Sequence, residues 1–177
     1  GVPAHGMIWL REQANTAQDD SAPTAGVTVH SSDDGSIVLE NEQLRVEINT
    51  NGDISSVYSK TASREALAPN TVGNALMAFE DRPMNYDAWD IDIFYEDRAE
   101  KLNGVEHITI TETGPLRASV EIVRTYRSST IRQVIHLYAN SQRLDFDTVV
   151  DWREQHILLK AAFPVDILSP VATFDVQ

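Results

Sequence analysis

The chain has 177 residues, 14 Lys and Arg against 27 Asp and Glu for a formal charge of −13, and no cysteine. A surface that acidic repels a phosphate backbone unless a basic stripe is segregated on it, so no nucleic-acid partner is expected, and no apolar run approaches the roughly 20 residues of a membrane-spanning helix. The absence of cysteine excludes disulfide frameworks, thiolate zinc sites and cysteine nucleophiles, and a hydrophobic content of 42% predicts a globular domain.

Taken in chain order, Met7 to Leu10 reads as a short strand, and Gln13 to Ala25, rich in Ala, Asp, Thr, Gln and Ser without apolar periodicity, as a connector. The expected organisation is a lead-in strand and flexible connector over 1–35, then a β domain over 36–177. Within the latter, Leu44, Val46 and Ile48 alternate with Arg45 and Glu47. Asn51-Gly52 then predicts a tight hairpin before Ile54 to Tyr58 returns. Thr61 to Ala68, ahead of Pro69, has the composition for a helical turn or two that the proline stops. Strands are expected at Val105 to Glu112, at Leu116 to Ile122 with Leu116, Ala118, Val120 and Ile122 on one face, and at Ser129 to Tyr138. Further strands are read at Leu144 to Val150, Ile157 to Phe163 and Val171 to Val176. Short strands every 8–12 residues, with turn signals at Asp34-Gly35, Asn103-Gly104 and Gly114-Pro115, predict an all-β antiparallel sandwich with minimal helix.

The chemistry is sparse. His5, His30, His107, His136 and His156 stand singly, with no zinc-ligand spacing, and nucleophile-elbow, Walker, dinucleotide and EF-hand motifs are missing. No catalytic or metal residue is therefore assigned. Arg117, Arg124, Arg127 and Arg132, interrupted by Glu121, read as a solvated strand face. Asp145, Asp147 and Asp151 read as another, opposite Leu144 and Phe146, with an adventitious cation site as the alternative.

The dense polar and aromatic run is Glu80 to Tyr95. As a strand from Trp89 onward it would put Trp89, Ile91, Ile93 and Tyr95 on one face and Asp90, Asp92 and Glu96 on the other, after a loop over Pro83 to Asp87. Carboxylates beside exposed aromatics suit a sugar: acids accept hydroxyl hydrogen bonds and an aromatic face covers the C–H surface. The candidates for lining a substrate or a domain interface are Asn85, Tyr86, Asp87, Trp89 and Asp90. The alternative makes Trp89 an inter-sheet core residue, with Asp87 and Asp90 capping turns or pairing with Arg82 or Arg98. A paired-carboxylate glycosidase requires separations that spacing alone does not fix.

Several segments in order carry a family resemblance: Leu39-Glu40-Asn41-Glu42-Gln43-Leu44-Arg45-Val46, then Asn51-Gly52-Asp53-Ile54, then Phe79-Glu80-Asp81-Arg82-Pro83 with Tyr86-Asp87-Ala88-Trp89-Asp90-Ile91. Gly114-Pro115-Leu116-Arg117, Arg143-Leu144-Asp145-Phe146, Val150-Asp151-Trp152 and Ala162-Phe163-Pro164-Val165 follow, and Val2-Pro3-Ala4-His5-Gly6 looks like the lead-in. Together they resemble the C-terminal β region of glycoside hydrolase family 38, the class II α-mannosidases, in its bacterial and cytosolic branch. The resemblance implies a mutarotase-like supersandwich, inactive alone, within a larger cytoplasmic enzyme. That enzyme would hydrolyse α-mannosides with retention through a glycosyl-enzyme intermediate. It further implies zinc in an N-terminal catalytic domain of the same polypeptide and a mannose-containing glycan as substrate. A free-standing carbohydrate-binding module and an aldose-epimerase-like sandwich are the rival readings.

Overall fold

The structure, a computed structural model, describes residues 26–87 and 89–171. The expected strand at Met7 to Leu10, the connector at Gln13 to Ala25 and residues 172–176 of the expected last strand lie outside them.

The first five strands are β1 (Thr28–Ser31), β2 (Ile37–Glu40), β3 (Leu44–Ile48), β4 (Ile54–Ser59) and β5 (Arg64–Glu65), and they form one sheet in that order. β6 (Ala75–Glu80) is flanked by β7 (Ala99–Lys101) and β12 (Ile157–Ala162) in a three-stranded sheet. β8 (Val105–Thr113), β9 (Arg117–Tyr126), β10 (Ser129–Tyr138) and β11 (Leu144–Asp151) make a four-stranded meander. Every pairing is antiparallel. Backbone bridges from Ile54 to Gly73 and from Leu67 to Val165 stitch the five-stranded and three-stranded sheets together. The all-β sandwich expected from the alternation is what the chain forms. It takes in residues ahead of Ser36, since β1 pairs with β2. No helix among the described residues is long and apolar enough to cross a membrane.

Side-chain alternation explains the layering. Leu44, Val46 and Ile48 of β3 and Ala118, Val120 and Ile122 of β9 are buried in one cluster with Leu39, Ile54, Ile135 and Leu137, so the five-stranded sheet packs on the meander. Full burial of each such Val, Leu or Ile side chain is worth roughly 1.5–3 kcal/mol. A second cluster, Leu76, Ala78, Leu102, Tyr126 and Ile131, packs the three-stranded sheet on the far end of β9 and β10, and Trp152 stacks on Tyr126 at 5.8 Å.

The β3–β4 connection is wider than a two-residue hairpin. Asn49 Oδ1 accepts the N–H of Asn51 at 2.9 Å and of Asp53 at 3.1 Å, and only Gly52 takes a positive φ, 73°. Thr61 to Ala68 forms turns and β5 rather than a helical turn. The Glu65 carboxylate reaches back to accept the N–H of Val57 at 2.8 Å and the Ser56 hydroxyl at 2.7 Å, as well as the N–H of Ala66 and Leu67. That ties the segment to β4 instead of leaving its donors for a helical ladder.

The basic face is only partly solvated. Arg124 shares the parity of Val120 and Ile122, points into the sandwich and is 0% exposed. Its Nη1 donates to Gln133 Oε1 at 2.9 Å and its Nη2 to the Asn51 carbonyl, with Asp53, 1% exposed, 3.8 Å away. Lys101 Nζ donates to the other Asp53 oxygen at 2.6 Å, and Asn74 exchanges two amide hydrogen bonds with Gln133. A buried cation survives only when opposite charge and acceptors surround it, and here they come from the β3–β4 turn and β10. The acidic set does lie on the outer face: Leu144 and Phe146 pack on the core, while Asp145 and Asp151 pair with Arg143 at 2.6 Å and Arg153 at 2.8 Å.

Candidate functional site

Between Glu80 at the end of β6 and Ala99 at the start of β7 the chain leaves the sheet as a long excursion. From Trp89 onward it is not a strand. The chain turns at Tyr86, whose φ is 58° and whose carbonyl accepts the N–H of Trp89 and of Asp90, each at 2.9 Å. A 3-10 helix, Ile93–Arg98, follows. The apolar alternation of Trp89, Ile91, Ile93 and Tyr95 finds no partner strand here. Asp92 instead accepts the Met84 N–H at 3.1 Å through its side chain and the Tyr95 N–H at 3.1 Å through its carbonyl, folding the segment on itself.

The base of the excursion is tied to the sheet. Glu80 holds Arg82 at 2.7 Å through one oxygen and Arg98 through the other. The Asp81 N–H donates to the His156 carbonyl at 2.8 Å. On β12, Lys160 donates to the Tyr95 hydroxyl at 2.5 Å and sits 4.0 Å from that ring's centre, and Phe79 meets Tyr95 edge-on at 5.2 Å. These ties leave a cleft of about 320 Å³ bounded by Glu80, Asp81, Arg82, Asp92, Tyr95 and Arg98. Asp81 Oδ1 itself is buried and accepts no hydrogen bond from the described residues.

The five candidates from the sequence fall together on the tip. Asn85 and Tyr86 are exposed, and Asp87 is exposed with one oxygen 3.6 Å from His156 Nδ1. Trp89 is 90% exposed, which removes it from the inter-sheet core. Asp90 caps the turn by accepting the Ile91 N–H at 3.0 Å. Met84, Ile93 and Phe94 add exposed apolar surface beside them. Arg82 and Arg98 pair with Glu80. Phe79, Lys160 and His156, which anchor the excursion, were not among the candidates: their partners lie far away in sequence, and no local spacing announces them.

A Ser119, His136 and Glu112 cluster on the outer face of the meander looks like a nucleophilic triad but is not one. Ser119 is buried, and its hydroxyl proton goes to Glu112 Oε2 at 2.6 Å, so His136 Nδ1, 2.7 Å away, must donate to that hydroxyl rather than take its proton. Hydrogen bonds from Arg117 and then Ser119 hold the Glu112 carboxyl down at about 2. Among the described residues no group of three or more His, Asp or Glu could hold a metal ion.

The described residues form an antiparallel β sandwich that carries an acidic, aromatic excursion. Residues 39–177 match the glycosyl hydrolases family 38 C-terminal domain, and the chain belongs to that family. It is 33% identical over 157 residues to alpha-mannosidase 2C1 of Mus musculus, covering 88% of this chain. It is 34% identical over 150 residues to alpha-mannosidase G of Dictyostelium discoideum, covering 81% of the chain, and 26% identical to an alpha-mannosidase of Saccharomyces cerevisiae. The chain spans about 15% of the length of the mouse and yeast relatives and 14% of the slime-mould one.

Proposed function

We propose that this chain is the non-catalytic β-sandwich part of an α-mannosidase, and that its 81–98 excursion forms one rim of the sugar site against a catalytic part elsewhere in the same polypeptide. Family membership supports the enzyme class, because the matched relatives are named α-mannosidases over the same region. Retaining hydrolysis, a zinc ion held by that other part and a cytoplasmic setting follow from the resemblance to the cytosolic branch. None of the residues described here is given a catalytic step.

The observation that carries the rim assignment is the tip itself. Trp89, Tyr86 and Phe94 are held out from a firmly tied base, next to Asp87 and Asp90. A monomeric surface rarely keeps such an apolar group exposed unless something covers it. Sugars fit this surface: ring C–H groups lie on the aromatic faces and hydroxyls donate to carboxylates.

Trp89→Ala and Asp87→Ala in the full-length enzyme, assayed on an aryl α-mannoside and on manno-oligosaccharides, test this reading. Lower kcat/KM on both substrates with intact folding is expected. Unchanged kinetics would reduce the excursion to scaffold. Binding of manno-oligosaccharides by the 177-residue chain alone would favour the binding-module alternative.

A further inference from the structure

The connection between β11 and β12, residues 152–156, is fixed at both ends. Trp152 stacks on Tyr126. Glu154 Oε1 accepts the Ser128 N–H at 3.0 Å and the Ser129 hydroxyl at 2.8 Å, and Ser129 Oγ in turn accepts the Arg153 N–H at 2.9 Å. These bonds seat the connection on the turn between β9 and β10. At the far end Ile157 is in register with Glu80, and the Asp81 N–H bond to the His156 carbonyl at 2.8 Å carries that ladder one step into the excursion.

His156 itself has a φ of 54°, the left-handed region that most L residues avoid and that histidine enters more often than most. Strained backbone of this kind persists only where the surroundings over-determine it, and it gathers at functional sites. Here it has a geometric consequence. The His156 carbonyl engages Asp81 at the neck of the excursion, while its Nδ1 lies 3.6 Å from Asp87 Oδ1 at the tip. Tyr86, beside Asp87, is left-handed as well, at 58°. Arg82 and Arg98, which line a cleft together with His156, are both engaged by Glu80.

We propose that His156 is a positioning residue for the sugar site: its imidazole sets the direction of the Asp87 carboxylate, so that this acceptor is already aimed when a sugar hydroxyl arrives. The proposal rests on the rim reading given above and adds to it the group that organises the rim. At 3.6 Å the contact is within ion-pair reach and longer than a direct hydrogen bond. Contacts of this kind are often long before substrate binds and shorten with it. The Asp87 side chain is 64% exposed, so without the ring it would sample its rotamers in solvent, and ordering it would be charged against substrate binding.

A mutant cycle in the full-length enzyme, read as kcat/KM on an aryl α-mannoside well below each variant's melting temperature, tests this. His156→Gly keeps the left-handed backbone and removes the ring, whereas His156→Asn also tolerates that backbone and returns an amide N–H close to the place of Nδ1. His156→Gly should lower kcat/KM by about tenfold, within the loss of about a hundredfold that a misplacement of about 1 Å can cause. His156→Asn should recover most of that loss. In an Asp87→Ala background, His156→Gly should change nothing further, because the two residues act through one contact. An equal loss in both backgrounds overturns the proposal and leaves His156 as a backbone anchor alone. So does a His156→Asn enzyme as impaired as His156→Gly. Full activity of His156→Gly beside an impaired Asp87→Ala overturns the positioning role and leaves the rim standing. Unchanged kinetics of Asp87→Ala itself would remove the rim reading at that residue, and this proposal with it.

Discussion

The sandwich interior and the 81–98 excursion use the same residue types for opposite ends. Inside, Arg124 and Asp53 are stripped of water and survive because Gln133, Lys101 and the Asn51 carbonyl converge on them. On the excursion, Arg82 and Arg98 stay solvated on Glu80, and the aromatic residues that elsewhere build the core face outward. The difference lies in what surrounds these groups: the interior gathers its charges out of water, with Asp53 Oδ1 and Arg124 Nε still without a hydrogen bond among the described residues, whereas the tip holds aromatic side chains out in solvent.

The comparison predicts its largest effect at Arg124. Arg124→Leu leaves Asp53 buried with Lys101 as its remaining cation, and breaking a buried pair on one side costs about 3–5 kcal/mol. Chemical denaturation of the 177-residue chain should show that loss. Adding Asp53→Asn to it should recover part of the loss, because no anion is then left buried and the partly exposed Lys101 can turn to water. Equal stability of Arg124→Leu and the parent chain would mean that water reaches the network and the interior is not dry there.

Gly52 comes next. Its φ of 73° is left-handed, and a Cβ there would stand 2.7 Å from Arg124 Nη2 and 2.8 Å from Ile122 Cγ2. Gly52→Ala therefore combines backbone strain of order 1–3 kcal/mol with displacement of the guanidinium. Thermal melting should place it below the parent chain but above Arg124→Leu.

Much of this interior is legible in the amino-acid order. Period-two alternation locates β3, β9, β10 and β11, and it assigns the parity of Val120 and Ile122 correctly. The same parity places Arg124 inside, but charge argued for outside, and charge misleads because its counter-ion Asp53 comes from a turn 71 positions earlier, a pairing no local window contains. The excursion fails for the reverse reason. Trp89, Ile91, Ile93 and Tyr95 satisfy the strand period over too few residues, and no neighbouring strand exists to accept them, so Asx-type bonds from Asp90 and Asp92 decide the backbone. The candidate residues nonetheless lie on one tip, since a loop of five or six residues keeps sequence neighbours together whatever its conformation.

A smaller effect belongs to the outer face. The Glu112 carboxyl, held at about 2 by Arg117 and Ser119 against an ordinary 4.5, contributes stability that is present above the ordinary value and is lost as pH falls through about 2. The parent chain should be more stable than Glu112→Gln near neutrality, with the gap closing from about pH 4.5 down to about 2. The pair is open to solvent, so the gap should also shrink with added salt. A gap independent of pH would assign the difference to packing and not to ionisation.

The smallest expected effect on folding is at Trp89. At 90% exposure its ring removes almost no surface from water, so Trp89→Ala should change stability by no more than about 0.5 kcal/mol. That near-neutrality is what gives the kinetic experiment its meaning: a fall in kcat/KM cannot then come from unfolding and must come from a contact the ring makes outside this domain. A large loss of stability in the isolated chain would show instead that the tip packs back on the sandwich. The contrast between an interior that buries its charges and an outward-looking rim would then be wrong at the residue that defines it.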